Sequence, residues 1–258
     1  MFDSGCGGLS VLREAAKLLP QEKFIYYADN ANCPYGEKSP DFILERGRRI
    51  SEYLISRGAQ IIVVACNTAT AAAISSLRNE YPVKFIGMEP AVKPAALSSR
   101  TGVIGVLATA GTLKGSKYLT TKGMYEDNVK IVEHVGQGFV ELVENGILNG
   151  PEAENTVRKS LQPLLDAGAD RVVLGCTHYP FLMGTIRKIA GPDVLIIDPA
   201  PAVARHLEEV REKEGIAPAT EPIRTDREGM SASSVELVAS GDRTAAERIL
   251  GMILNGEV

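Results

Sequence analysis

Short apolar runs rich in β-branched residues recur along the chain, and longer stretches with apolar residues at helical spacing separate them. Runs of this kind, bounded by turn residues, mark strands buried on both faces of a parallel sheet, with the intervening stretches as crossover helices. Strands are predicted at residues 24–28, 61–65, 83–88, 103–107, 130–134, 171–175 and 194–197. Helices are predicted over 9–19, stopped by Pro20, and from Ser39-Pro40, a cap and first helical position, to Gly58. In that second helix Phe42, Ile43, Ile50, Tyr53 and Leu54 give one apolar face, and Arg46, Arg48 and Arg49 read as the solvated one. An Ala-rich helix capped by Asn67 and Thr68 stops before Pro82; others start near Lys114 and cover 139–144 and 151–167, where Pro163 marks a kink or break. Further helices run from Tyr179-Pro180 to Gly191 and over 201–214. Residues 91–101 read as a connection or a helix interrupted by Pro94, and two short helical patterns, 235–239 and 245–253, end the chain.

One stretch occurs twice. Gly58-Ala-Gln-Ile-Ile-Val-Val-Ala-Cys-Asn-Thr68 aligns without a gap with Gly168-Ala-Asp-Arg-Val-Val-Leu-Gly-Cys-Thr-His178, Cys66 against Cys176. The next apolar runs also match, 84–90 and 194–199, each closing on an acid and a proline (Glu89-Pro90, Asp198-Pro199). Each Cys thus falls at a strand's C-terminal end, where the chain turns into a helix. Open α/β sheets carry their ligands at that end, and a helix N-terminus favours a thiolate. Two unrelated buried cysteines are the plainer alternative, since Cys is among the most buried residue types; the duplicated surroundings favour two similar units facing one cleft. The expected fold is α/β, with two pseudo-symmetric α/β domains, parallel-type sheets and the active site in the cleft between them. Residues 1–92 plus 205–258 would form the first domain and 93–204 the second.

The length, 258 residues, suits one large domain or two ordinary ones. The net charge of −4 and the absence of a dominant basic patch argue against nucleic acid as the main partner. The apolar runs are too short to span a membrane. No charged leader precedes an apolar stretch, so a cytoplasmic location is expected. Four Cys without close spacing do not form a disulfide framework. Two Cys and one His could contribute to a zinc site, but no Cys-x-x-Cys is present and no fourth ligand is evident, so no metal is expected. Asp3-Ser4-Gly5-Cys6-Gly7-Gly8 sits where a strand would hand over to a helix. It lacks the patterns of a nucleotide cradle; Asp3 could simply cap the helix. In the second unit Ala108-Thr109-Ala-Gly-Thr112 takes its place.

These residues resemble a known family. Asp3-Ser4-Gly5-x-Gly7-Gly8, Pro34-Tyr35-Gly36, Ala65-Cys66-Asn67-Thr68-Ala69 and Gly175-Cys176-Thr177-His178-Tyr179-Pro180 stand in the order found in the aspartate/glutamate racemases, and most resemble glutamate racemase. The resemblance covers nearly the whole chain. It implies cofactor-independent conversion of L-glutamate to D-glutamate for peptidoglycan, by two pseudo-symmetric domains around one site. Inverting an α-carbon takes a proton from one face and returns one to the other, which two bases on opposite faces do directly. By resemblance these are Cys66 and Cys176, assisted by Asp3 and His178. Ser4, Tyr35, Gly36, Asn67, Thr68, Thr109, Thr112 and Thr177 match positions that bind the amino acid. Asp29 and Glu144 match auxiliary acids, although Asp29 could only fix its loop and Glu144 only end a helix. Cys6 and Cys33 read as space-fillers, Glu89 and Asp198 as structural strand-end residues. A homodimer is the expected assembly, no cofactor is expected, and the substrate is the small-molecule partner. Family members carry more apolar residues before Asp-Ser-Gly; with only Met1 and Phe2 here, a short first strand is expected. A related racemase acting on aspartate or hydantoin, or a non-catalytic amino-acid-binding protein, are the competing readings.

Overall fold

The computed structural model describes residues 1–217 and 234–258. The chain begins β1 (Phe2–Asp3), α1 (Leu9–Leu18), β2 (Phe24–Ala28), α2 (Pro40–Ser56), β3 (Ile61–Val63), α3 (Asn67–Glu80) and β4 (Lys84–Ile86). β1 runs parallel to β2, Asp3 opposite Ala28, and on its other edge Phe2 bridges Val64 just past β3. β3 in turn pairs in parallel with β4. The order through the bridge is therefore β2-β1-β3-β4.

The second half repeats this plan. α4 (Val92–Ser98) leads to β5 (Val103–Ala108), then α5 (Ala110–Leu113), α6 (Ser116–Gly123), β6 (Lys130–Val135), α7 (Phe139–Glu144), α8 (Gly150–Asp166), β7 (Arg171–Gly175), α9 (Met183–Ala190) and β8 (Leu195–Ile197). Its four strands are all parallel in the order β6-β5-β7-β8. Strand for strand, β1 to β4 hold the places of β5 to β8. The duplication read in the sequence is thus a duplication of topology, and the expected α/β class with parallel sheets is what is found.

The end of the chain departs from this symmetry. α10 (Ala200–Lys213) packs on α1. Residues 235–239, expected to be helical, form strand β9 (Val235–Ala239), parallel to β2 with Val235 opposite Phe24. Val235 and Leu237 are buried and Glu236 between them is exposed, so the run has the two-residue period of a strand, and β9 covers an edge that β2 would otherwise expose. α11 (Thr244–Leu254) comes next and rests on α1.

Proline positions explain three further boundaries. Pro94 is the third residue of α4, where its missing N–H belongs to the unbonded first turn, so residues 92–98 are helical. α8 continues through Pro163 to Asp166. Tyr179–Leu182 makes a single 3₁₀ turn before α9, which ends at Gly191 with φ 77°. Ser39 caps α2 as expected, its hydroxyl accepting the Phe42 N–H at 3.3 Å. The helix expected near Lys114 is two short ones, α5 and α6.

The largest apolar cluster crosses from one half to the other. Leu9, Leu12 and Ala16 of α1 belong to it together with Phe139 and Leu142 of α7, Leu161 and Leu164 of α8 and Leu174 of β7. Both sheets therefore turn their C-terminal edges toward one region and are held there by shared core. No helix among the described residues is long and apolar enough to cross a membrane.

Candidate active site

Parallel strands end together, and the residues just past those ends make up the site. Asp3 ends β1, Thr109 comes directly after β5, Cys66 sits just beyond β3 and Cys176 just beyond β7. Cys66 is the N-cap of α3 and holds extended backbone geometry, its carbonyl accepting the Thr70 N–H at 2.8 Å. Both thiols are nearly buried, at 5% and 7% exposure. They line one common space with Ser4, Tyr35, Gly36, Asn67, Thr68, Thr109, Thr177 and His178. That space is about 10 Å³, room for one water molecule, so this is a closed form. A larger cavity of about 520 Å³ lies elsewhere, between Phe24, Ile61 and Arg57, away from both thiols.

The Cys66 side is organised by a carboxylate. Asp3 is fully buried, and its oxygens accept the Ser4 and Gly8 N–H groups, each at 2.6 Å, and the Thr177 hydroxyl at 3.0 Å. Asp3 thus ties down the start of α1, as a cap would, while also facing the thiol. Burial pushes its pKa up, against His178, Cys66 and these donors, which pull it down. Burial first, and then the Asp3 charge, push the Cys66 thiol well above its ordinary value; the Ala69 N–H at the start of α3 acts the other way. In this closed form Cys66 is a thiol with a carboxylate at hand to take its proton. The Ser4 hydroxyl lies 3.9 Å from Cys66 Sγ.

The Cys176 side is organised by an ion pair. His178 is buried, with Nδ1 3.8 Å from Cys176 Sγ and Nε2 2.7 Å from Glu144 Oε1 at the end of α7. Desolvation would lower the imidazole's pKa, but hydrogen bonds with Cys176, Cys6 and Glu144 hold it well above its usual value. Glu144 is raised by burial and lowered more by His178 and the Cys6 N–H, to about 2. The pair is therefore imidazolium and carboxylate, and a proton donor faces Cys176. The glycines of the first loop make room for it: a Cβ on Gly7 would lie 2.3 Å from His178 Nδ1, and one on Gly5 2.0 Å from Glu144 Oε1.

Three hydroxyls meet between the halves. Thr68 Oγ1 lies 2.8 Å from Thr109 Oγ1 and 3.3 Å from Thr112 Oγ1, with 2.9 Å between the last two. Asn67 does not cap α3. Neither polar atom of its buried amide has a hydrogen-bond partner among the described residues, a costly state that a bound polar group would relieve.

The sequence reading missed one residue of this site and undervalued three. Arg46 does not belong to a solvated face: it makes a bidentate pair with buried Asp29, at 2.9 and 2.7 Å. Asp29 also accepts the Tyr35 hydroxyl, at 2.5 Å. Arg46, Asp29 and Tyr35 together anchor the loop that carries Gly36, and the only sequence signal was three arginines close together. Arg48 and Arg49 do pair at the surface, with Glu80 and Glu45. Glu144 does more than end a helix. Cys6 and Cys33 are not mere fillers: the Cys6 N–H donates to Glu144 Oε1 at 2.8 Å, and Cys33 Sγ is 3.9 Å from the same oxygen. Of the twelve residues expected at the site, ten line the common space directly; Asp3 stands behind Ser4, and Thr112 behind Thr68 and Thr109.

A family model described as Asp/Glu/Hydantoin racemase matches residues 6–207. The chain belongs to that racemase family. It is 50% identical over 216 residues to the glutamate racemase of Methylococcus capsulatus, covering 84% of this chain and 80% of that one. Among solved structures, a glutamate racemase of Bacillus anthracis superposes with a TM-score of 0.84 at 30% identity, over 98% of this chain and 92% of that one. The Escherichia coli glutamate racemase, solved with L-glutamate and the activator UDP-MurNAc-ala, has a TM-score of 0.82 at 32% identity, over 98% and 93%. The resemblance read from the motifs and the racemase class it implied are met.

Proposed function

We propose that this protein interconverts L- and D-glutamate, supplying D-glutamate for peptidoglycan, by passing the α-proton between Cys66 and Cys176. The observation that carries the reading is the pairing of the two thiols in one space, each backed by its own proton relay. Asp3 takes the proton that makes Cys66 a thiolate, and the His178–Glu144 pair gives or takes one at Cys176. The α-proton is a weak acid, so the carbanion that forms must be met by fixed donors. Asn67, Thr68, Thr109, Ser4 and Thr177 would hold the two carboxylates and the ammonium group, with Thr112 supporting Thr68 and Thr109 from behind. No arginine among the described residues lines the space, so the carboxylates would rest on hydroxyls, an amide and backbone N–H groups. Tyr35 and Gly36 close the site over the substrate.

Because the enclosed space is about one water in size, glutamate enters only when the halves part. The domain division 1–92 with 205–258 and 93–204 supplies such a movement; β9 on β2 and α10 on α1 support assigning the chain's end to the first half. A homodimer and a cytoplasmic location are part of the proposal; the four free cysteines fit the second.

The test is exchange in D₂O, with the α-proton followed by NMR and rotation by polarimetry, on L-glutamate and L-aspartate separately. Deuterium entry with loss of rotation on glutamate alone is expected. The same on aspartate alone would replace the substrate, and no exchange on either would overturn the reading in favour of an amino-acid-binding protein.

A further inference from the structure

Cys6 stands outside the chemistry proposed above, yet it is fully buried beside its most polar pair. The Cys6 thiol, a Glu144 carboxylate oxygen and a His178 ring nitrogen all lie within 4.8 Å of one another. Thiolate, imidazole and carboxylate are the donors that zinc takes, and a thiol excludes magnesium and calcium. We propose that Cys6, Glu144 and His178 form a zinc-binding site, and that zinc bound there switches the enzyme off.

The distances suit the ion. Zinc bonds of about 2.0–2.3 Å hold tetrahedral donors roughly 3–4 Å apart. The His178–Glu144 contact, at 2.7 Å, has to open slightly, and any separation near the 4.8 Å bound on the cluster has to close toward that range. Cys33 Sγ lies 3.9 Å from the same Glu144 oxygen but outside this cluster of three, so the fourth position is open to a water molecule. The ion enters past Glu144, whose side chain is 19% exposed against 2% for His178. No Cys-x-x-Cys announced the site because its donors come from the loop before α1, the end of α7 and the turn after β7.

Binding forms one Zn–S, one Zn–N and one Zn–O bond. The thiol proton of Cys6 and the proton held between His178 and Glu144 leave for solvent, and no electron moves. Two positive charges enter as two leave, so the buried cluster keeps its net charge and avoids the cost of an uncompensated ion. With zinc on Nε2, His178 is a neutral imidazole, and the Nδ1–H that it keeps toward Cys176, 3.8 Å away, is a far weaker acid than the imidazolium it replaces. The binding stands on the cluster alone; the inhibition rests on the two-thiol reading of the function.

The experiment uses the full chain, stripped of metal, with zinc chloride as the probe. Equilibrium dialysis with metal analysis gives the stoichiometry and affinity, and racemisation is followed over the same zinc range. One zinc per chain, removed by a chelator together with the inhibition, is expected. Cys6→Ala and the shape-keeping Cys6→Val should weaken zinc binding at least about tenfold and raise the half-inhibiting zinc concentration equally. Cys66→Ala should leave the affinity unchanged. Zinc that is not retained, that binds both Cys6 variants as well as the parent, or that is lost on Cys66→Ala overturns the proposal. Should both Cys6 variants fail to fold, cobalt(II) added to the Cys66→Ser/Cys176→Ser protein decides: a thiolate-to-cobalt absorption band supports the site, and its absence overturns it. An enzyme that never racemises but still takes up one zinc through Cys6 would refute the function and leave the site standing.

Discussion

Glu144→Gln removes one charge from the buried relay and keeps its shape. The amide oxygen can still accept the Cys6 N–H that Glu144 accepts at 2.8 Å, so what is lost is the pairing with the His178 imidazolium. The fall of the Glu144 pKa from 4.5 to about 2 corresponds to roughly 3 kcal/mol of preference for the carboxylate, at about 1.4 kcal/mol per pH unit. A carboxyl whose folded pKa is depressed stabilises the fold above its unfolded pKa, and that contribution fades as the pH falls from 4.5 to about 2. His178 has the opposite sign: its pKa is raised above 6.5, so its contribution is complete below 6.5 and is lost as the pH rises through the folded value. Urea unfolding of parent and variant, repeated from neutral pH downward, reads the first effect. The parent should be more stable by up to about 3 kcal/mol near neutrality, and the gap should close between pH 4.5 and about 2. Imidazole NMR reads the second: His178 in the variant should titrate closer to 6.5. A stability gap that does not change over the acid range, or a His178 pKa left where it was, would refute the ion-pair account.

Five other substitutions probe the site and its surroundings. Cys66→Ser and Cys176→Ser should each abolish racemisation with the far-UV spectrum unchanged, while each retains slow deuterium exchange with one enantiomer only; full turnover by either ends the two-thiol reading. Arg46→Ala leaves Asp29 buried with no cation, which costs about 3–5 kcal/mol by the usual penalty for breaking a buried pair, so thermal unfolding should move down sharply, whereas Arg49→Ala, at an exposed pair, should leave it in place. Gly7→Ala puts a methyl carbon 2.3 Å from His178 Nδ1; displacing that ring by an ångström should lower kcat about 100-fold, and an unchanged kcat would mean the ring is not held by this contact.

The repeated strand-Cys unit made the architecture legible, because buried parallel strands and their crossover helices leave a periodic trace. Both catalytic candidates and most of the lining were legible for a related reason: each comes directly after a strand end, where sequence position and spatial position coincide. What escaped the sequence was what depends on distant segments meeting. Arg46 looked like one of three surface arginines until the Asp29 loop folded over it. Cys6 and Cys33 looked unrelated until Glu144 came between them. Residues 235–239 were too short for their period to be read without the β2 edge that they cover, and the amide of Asn67 had the look of a cap but finds no partner among the described residues.

The two halves share a strand order but not a chemistry. The first half backs its thiol with a carboxylate, and the second backs its own with an imidazolium locked to a glutamate. Mirror-image substrates have equal free energy in water, so their interconversion has an equilibrium constant of one, and kcat/KM is the same in both directions whatever the protein does. The unlike backing of the two thiols is free to appear only as matched differences: whichever enantiomer turns over faster must also have the higher KM, and by the same factor. A reaction balanced between mirror images thus runs between two unlike thiol surroundings, and the kinetic constants of the two hands carry the difference in equal measure.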